Sequence, residues 1–310
     1  MRKVNTVKFY SRAFTMIELI FVIVIMGILS KFGIEFLAQA YQSFIFSKVN
    51  STLSAQSEAA VESIASRLQF RIKDSVIARQ DETHFEAIGG ISNDNYKILE
   101  WVGSDIDGLR GDVNATWGGI IDLNASSATT LNSPATDLGA ADTLIAALSA
   151  GGANGASGIN NSAIYFIGSD NDINNYGWDK TKADGVDALT DHNTSVMHRI
   201  NANGNNFNSG IAADFSGTDI YEYYQLAWTA YAVELDANND LWLYYDYQPW
   251  EDEYYTSGSK SLLMENVTTF RFRSVGSVVK IQVCVKSNII DGSSNDDGEG
   301  YSLCKEKTIF

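Results

Sequence analysis

The chain has 310 residues, 45 % apolar and 12 % aromatic, enough for one large folded domain or two small ones. Its formal charge of −16 argues against nucleic-acid binding and against docking on anionic lipid, and it invites cations. The two cysteines, Cys284 and Cys304, form no CxxC motif, and the three histidines (His84, His192 and His198) are scattered without metal-ligand spacing.

The first element is an apolar run. Residues 13–30 read Ala-Phe-Thr-Met-Ile-Glu-Leu-Ile-Phe-Val-Ile-Val-Ile-Met-Gly-Ile-Leu-Ser, with Glu18 as the single charge. Arg2, Lys3, Lys8 and Arg12 precede it, and no acid does. A carboxylate in such a run needs a reason, since Asp costs about 2.5–3.5 kcal/mol at a helix centre on insertion scales. Phe14 to Ser30 covers about 25 Å of a hydrocarbon core about 30 Å thick, so the span continues past Lys31 and Glu35. Those two lie four apart on one helix face and are placed to pair. A secretory signal peptide has its small-residue cleavage site after the apolar core, whereas Ala13 precedes it here. A plain membrane anchor is a better reading, but it leaves Glu18 unexplained.

The basic leader, the small residue and Phe-Thr-Met-Ile-Glu resemble the N-terminal signal of type IV prepilins and type II secretion pseudopilins. The resemblance implies a leader of residues 1–13, cut by prepilin peptidase between Ala13 and Phe14, and methylation of the new Phe14 amine. It implies that Glu18 meets the Phe14 amine of a neighbouring subunit during assembly. The family usually has Gly before the cut. Ala13 departs from that pattern but keeps the small side chain a peptidase subsite requires. Loss of the leader would take the charge to −20. The positive-inside rule keeps the leader cytoplasmic and places the rest of the chain in the bacterial periplasm. The implied partners are prepilin peptidase, other pilin or pseudopilin subunits and an inner-membrane assembly platform.

Beyond the span, residues 14–38, apolar spacing stays helical through Tyr41, Phe44, Val49 and Leu53, then Val61, Ile64, Leu68, Ile72 and Val76. It predicts one long helix reaching about Ile77, amphipathic over 39–79, with a weak point near Asn50–Ser54. No proline precedes Pro134, so no proline kink is expected. A globular domain is expected over 80–310. Tyr96–Val102 reads as a strand, and residues 114–161 as a low-complexity insertion with a short helix at Ala140–Leu148. Ala163–Gly168 reads as a buried strand. Leu226–Leu235 and Leu241–Tyr247 flank the turn residues Asp236–Asp240 as a hairpin. Val267–Arg273 alternates apolar and basic residues. Val279, Ile281, Val283 and Val285 form one strand face, with Lys280, Gln282, Cys284 and Lys286 on the other. Ser302–Phe310 closes the set. The fold class is α+β: a long N-terminal helix, transmembrane in its first half, packed on a C-terminal antiparallel sheet, with a weaker pilin-like resemblance over Ser261–Phe310.

Three acidic loops are candidates for calcium, a cation that takes six to eight oxygens. Asp170, Asp172, Asn174 and Asp179 make the best set, ahead of Asp236–Asp240 and Asp291–Glu299. Asp236, Asn238 and Asp240 have EF-hand spacing, but Leu241 stands where Gly is needed. Asp and Asn are also ordinary turn residues, and the turn reading is the simpler one for each loop. Otherwise no cofactor is implied. A Cys284–Cys304 bridge would either expose a pilin-like loop or staple two adjacent strands, and stapling is the better account. The aromatic cluster Trp242, Tyr244, Tyr245, Tyr247, Trp250, Tyr254 and Tyr255 reads as a strand half buried against the long helix. No phosphate loop or nucleophile elbow points to an enzyme.

The expected function is therefore structural: a minor pseudopilin of a type II secretion system. A minor type IV pilin for adhesion, motility or DNA uptake is the first alternative. A membrane-anchored periplasmic binding domain that never polymerises is the second.

Overall fold

The computed structural model describes residues 15–91, 93, 95–111, 114–149, 157–169, 172–179, 189–286 and 302–310. The chain divides into a first unit ending at Thr52 and a second running Leu53–Phe310. Helix α1 (Met16–Leu68) supplies the described part of the first unit and the opening helix of the second. It is unbroken across Asn50–Ser54.

In the second unit, β1 (Ile77–Arg79), β2 (Phe85–Ala87) and β3 (Ile98–Gly103) begin the main sheet. Helix α2 (Ile106–Arg110), β4 (Thr130–Asn132), α3 (Leu138–Leu148), β5 (Ala163–Phe166), β6 (Met197–Asn203), β7 (Asn206–Ser209) and β8 (Tyr224–Ala227) follow. The chain then returns through β9 (Thr229–Leu235), β10 (Leu241–Tyr247) and β11 (Ser259–Met264). It ends in β12 (Val267–Val275), β13 (Val278–Lys286) and β14 (Ser302–Ile309). The main sheet has the order β11-β10-β9-β3-β1-β2, a second sheet β4-β7-β6-β5-β8, and a third β12-β13-β14, with antiparallel pairing throughout. The architecture is the expected α+β arrangement.

The helix ends earlier than its apolar spacing predicts. Ile72 and Val76 are fully buried, but in extended chain: the Ile72 amide donates to the Val102 carbonyl at 2.9 Å, and Arg71 bridges Gly103. Burial every fourth residue serves a helix and this irregular return equally well, so periodicity alone could not place the stop.

From Leu53 onward α1 is amphipathic. Ala60, Val61, Ile64, Ala65 and Leu68 pack on Trp101, Val233 and Leu243 of the main sheet and on Val279, Ile281, Val283, Val285 and Ile309 of the third. Fully burying an aliphatic side chain of this size stabilises by about 1.5–3 kcal/mol. Lys305 of β14 reaches Glu58 at 3.0 Å, and Lys307 pairs with Glu62. Four helical residues rise about 6 Å, close to the two-residue repeat of a strand at about 6.7 Å. One lysine ladder therefore fits one glutamate ladder.

Residues 114–161 lie within a longer excursion of the chain from the main sheet. Gly103 of β3 lies opposite Thr229 of β9, so everything between them, residues 104–228, leaves the main sheet and returns beside its point of departure. A Cβ on Gly103 would stand 2.6 Å from the Tyr231 ring, which fixes glycine at that junction. The inserted segment has its own core: Trp117, Leu131, Leu138, Ile145, Phe166, Ile200, Phe207 and Tyr224. Its other face meets the main sheet through Ala163, Tyr165, Tyr176, Trp178 and Met197.

The aromatic cluster lies on the opposite face from the one expected. Only Tyr245 sides with α1. Trp242, Tyr244, Tyr247, Trp250, Tyr254 and Tyr255 pack against the far face of the main sheet. Trp242 and Tyr244 alternate with Leu241 and Leu243, which face α1, and a bulge in β10, where the register shifts between Tyr244 and Tyr247 and Asp246 takes φ 60°, brings Tyr247 to the same far face. The bulge lets residues three apart share a face. The buried Asp246 carboxylate then accepts hydrogen bonds from the Ser149 and Ser157 hydroxyls at 2.8 and 3.0 Å.

Candidate functional site

The first unit concentrates what the sequence singled out. Every described residue from Thr15 to Phe44 is exposed, including Ile17, Leu19, Phe21, Ile25, Leu29, Phe32 and Phe36. The helix carries an apolar window of mean hydropathy 2.3, none of it buried, and is long and apolar enough to cross a membrane. Such a surface is unstable in water at about 25 cal/mol per Å2, so lipid or other helices must cover it.

Glu18 sits in the first turn of α1, where a carboxylate is favoured by the helix dipole. Its amide donates to the Thr15 carbonyl at 3.1 Å, so the helix is already formed around it. Lys31 and Glu35 pair at 3.9 Å, as their spacing predicts. Their exposure makes this an easily broken contact. Ala13 and Phe14 lie outside the described residues.

The other candidates are distributed over the second unit. Cys284 and Cys304 are directly opposite on β13 and β14 and are bonded, S–S 2.08 Å. The bridge staples adjacent strands on the sheet face turned away from α1. Asp170 lies outside the described residues. Asp172 Oδ1 accepts from the Asn174 amide and side-chain nitrogen at 3.0 and 2.9 Å, capping the 3-10 turn Ile173–Asn175. Asp236 likewise closes the β9–β10 turn, accepting from the Asn238 and Asp240 amides and from Trp242 Nε1. These hydrogen bonds hold its carboxyl below the usual range, the Asp240 amide most of all. Among the described residues no group of three or more His, Cys, Asp or Glu side chains converges as a cation site.

The histidines are not all scattered. His192 and His198 are both buried, with Nδ1 atoms 3.3 Å apart, and His192 Nε2 lies 2.8 Å from Ser209 Oγ. Spacing six apart gave no signal, because His198 is in β6 and His192 in the turn before it.

Residues 8–30 match the family model of the prokaryotic N-terminal methylation motif. No curated protein and no solved structure matches the chain. The matched segment contains Ala13, Phe14 and Glu18 and marks the N-terminus as a type IV pilin-like signal.

Proposed function

We propose that the chain is a structural subunit of a pilus-like filament. On this reading prepilin peptidase cuts between Ala13 and Phe14, and residues 14–38 wait in the inner membrane with the second unit in the periplasm. The same residues then become the packing core of the filament. The observation that carries the reading is one exposed apolar helix surface, Thr15–Phe44, interrupted near its start by Glu18 and coinciding with the methylation motif. The Phe14 amine and Glu18 are each costly in lipid alone, and pairing between neighbours offsets both. Assembly then depends on cleavage, because the uncut chain carries its amine 13 residues away.

The role we favour is a minor pseudopilin of a type II secretion system, on the strength of chain length. The Cys284–Cys304 bridge and the large insertion favour a second reading, a minor type IV pilin. Deleting the gene separates them: loss of protein secretion supports the first, and loss of adhesion, motility or DNA uptake with secretion intact supports the second. The reading common to both is tested by intact mass and N-terminal sequencing of the protein from its native membrane. A methylated Phe14 start supports it. A Met1 start in cells with active prepilin peptidase overturns it in favour of a non-polymerising anchored domain.

A further inference from the structure

Six asparagines stand in the pattern Asn-X-Ser/Thr with X other than proline: Asn50, Asn114, Asn124, Asn160, Asn193 and Asn266. In an exported chain this is the pattern of N-glycosylation. Three of the six, Asn114, Asn124 and Asn193, also have an aspartate two residues before. Asp and Glu are 38 of the 310 residues, about one in eight, so three of six is an excess.

Two of these three fold into one and the same turn. In Asp122–Ser126, Asp122 Oδ1 accepts from the Asn124 amide at 3.0 Å, and Ser126 Oγ donates to the Asp122 carbonyl at 2.6 Å. In Asp191–Ser195, the bonds from the Asn193 amide to Asp191 Oδ1 and from Ser195 Oγ to the Asp191 carbonyl measure 2.9 and 2.7 Å. Both asparagines are exposed. The turn accounts for the aspartate and the serine, which close it. It does not account for the asparagine, which contributes only its backbone amide. Neither Asn124 nor Asn193 has the positive φ that asparagine tolerates better than most residues. Among the described residues the Asn124 side chain has no hydrogen-bond partner. Asn193 uses only Oδ1, which accepts from Thr218 Oγ1 at 3.1 Å. A Cβ at Gly217 would stand 3.5 Å from its Nδ2, so glycine there keeps that nitrogen open.

The other four differ. Asn50 lies within α1, with Lys48 two residues before. Asn160 and Asn266 follow Gly158 and Met264 at that distance, and Ser162 is fully buried. Asn114 has its aspartate, but Thr116 is buried, with amide and hydroxyl both on the Gly108 carbonyl.

We infer that Asn124 and Asn193 are N-glycosylation sites, each presented by the turn that its own aspartate and serine close. The donor class is an oligosaccharide on a polyprenyl diphosphate, and the partner a membrane oligosaccharyltransferase. Asparagine Nδ2 forms a bond to the anomeric carbon of the sugar. The bond from that carbon to the diphosphate oxygen breaks, and the lipid diphosphate leaves with the electron pair. One Nδ2 proton passes to a base of the transferase, and nothing is oxidised or reduced. The aspartate adds a fixed negative charge for a basic subsite of the enzyme to read. The inference rests on the periplasmic placement of the second unit in the reading above, and not on filament assembly.

The test is peptide mapping of the full chain from its native membrane, by fragmentation that keeps a glycan on its residue. Glycan mass is expected on Asn124 and Asn193 and on none of the other four. Asn124→Gln and Asn193→Gln should each remove one increment from the intact mass. Asp122→Ala or Ser126→Ala should strip Asn124 while Asn193 keeps its glycan, and Ser126→Thr should retain both. Retention of the Cys284–Cys304 bridge checks folding, and the map of the unaltered chain decides if a variant misfolds. Protease access to the second unit in spheroplasts is read in parallel. Bare Asn124 and Asn193 on an accessible unit overturn this inference alone. A protected unit overturns the periplasmic placement and the inference with it. Sugar on serine or threonine, or on the other four asparagines as fully as on these two, also overturns it.

Discussion

Arg79 of β1 and Glu100 of β3 form a buried two-pronged ion pair, Nε to Oε1 2.7 Å and Nη2 to Oε2 3.3 Å, each side chain 1 % exposed. Arg79 also donates to the Trp178 and Glu82 carbonyls at 3.0 and 3.1 Å, and its guanidinium lies over the Phe85 and Tyr254 rings. It therefore joins the main sheet to the returning insertion. Removing one partner leaves a buried unpaired charge, so Arg79→Met or Glu100→Leu alone should cost about 3–5 kcal/mol. The double replacement should cost far less than the sum. Thermal unfolding of the four proteins in one detergent checks this; additive losses would show the two groups to be uncoupled.

The disulfide closes a loop of sequence separation 20. A cross-link of that size stabilises by about 3 kcal/mol in the chain-entropy model. Cys284→Ser/Cys304→Ser should therefore lower the midpoint of denaturation while the inner face of the third sheet, Val279 to Val285, stays packed on α1. Hydrogen exchange reads the second half of that statement: protection lost along β13 would show that the bridge holds the sheet on the helix.

Acid should weaken the fold through the histidine pair. Burial pushes His192 down to about 4, and burial together with neighbouring His192 pushes His198 down to about 3. Asp191, Arg199 and Asp214 are the charged groups acting on His192. A neutral histidine in the fold contributes stability that is present above its unfolded value of about 6.5 and lost as pH falls through the folded value. The expected slope approaches about 1.4 kcal/mol per pH unit per histidine between these limits. Denaturation midpoints from pH 7 to 4.5 measure it, and His198→Gln should flatten the curve. An unchanged slope in that variant would assign the acid sensitivity elsewhere.

Glu18→Ala should leave the second unit folded and the protein in the membrane, yet keep it out of filaments. Glu18→Gln should fail as well, since an amide does not neutralise the methylated amine. Filament fractions probed for the subunit give the answer. Normal incorporation of the alanine variant would mean that pairing with Phe14 is not what admits a subunit.

The N-terminus was legible because its physics is local: an apolar run, one expensive carboxylate and basic residues on one side need no tertiary context. The β9–β10 hairpin was legible from its turn residues Asp236–Asp240, and β12–β13 from strict alternation. Three things were not. The stop of α1 at Leu68 is set by the hydrogen bond from Ile72 to Val102, a partner 30 residues on. Strands β6 and β7, Met197–Asn203 and Asn206–Ser209, are too rich in Asn to alternate visibly, and they are held in the core by Met197, Ile200 and Phe207. The facing of Tyr247, on the same side as Tyr244, depends on a bulge that composition does not announce.

The junction of the insertion has a consequence of its own. Gly103 and Thr229 are partners across a single rung, so the backbone departs and re-enters β3 and β9 as if through one doorway. A segment held that way can lengthen, shorten or be exchanged between relatives without altering the register of the strands on either side. The part of the chain that carries most of its net negative charge is thus the part most free to diverge, while the helix and the sheets it rests on keep their geometry.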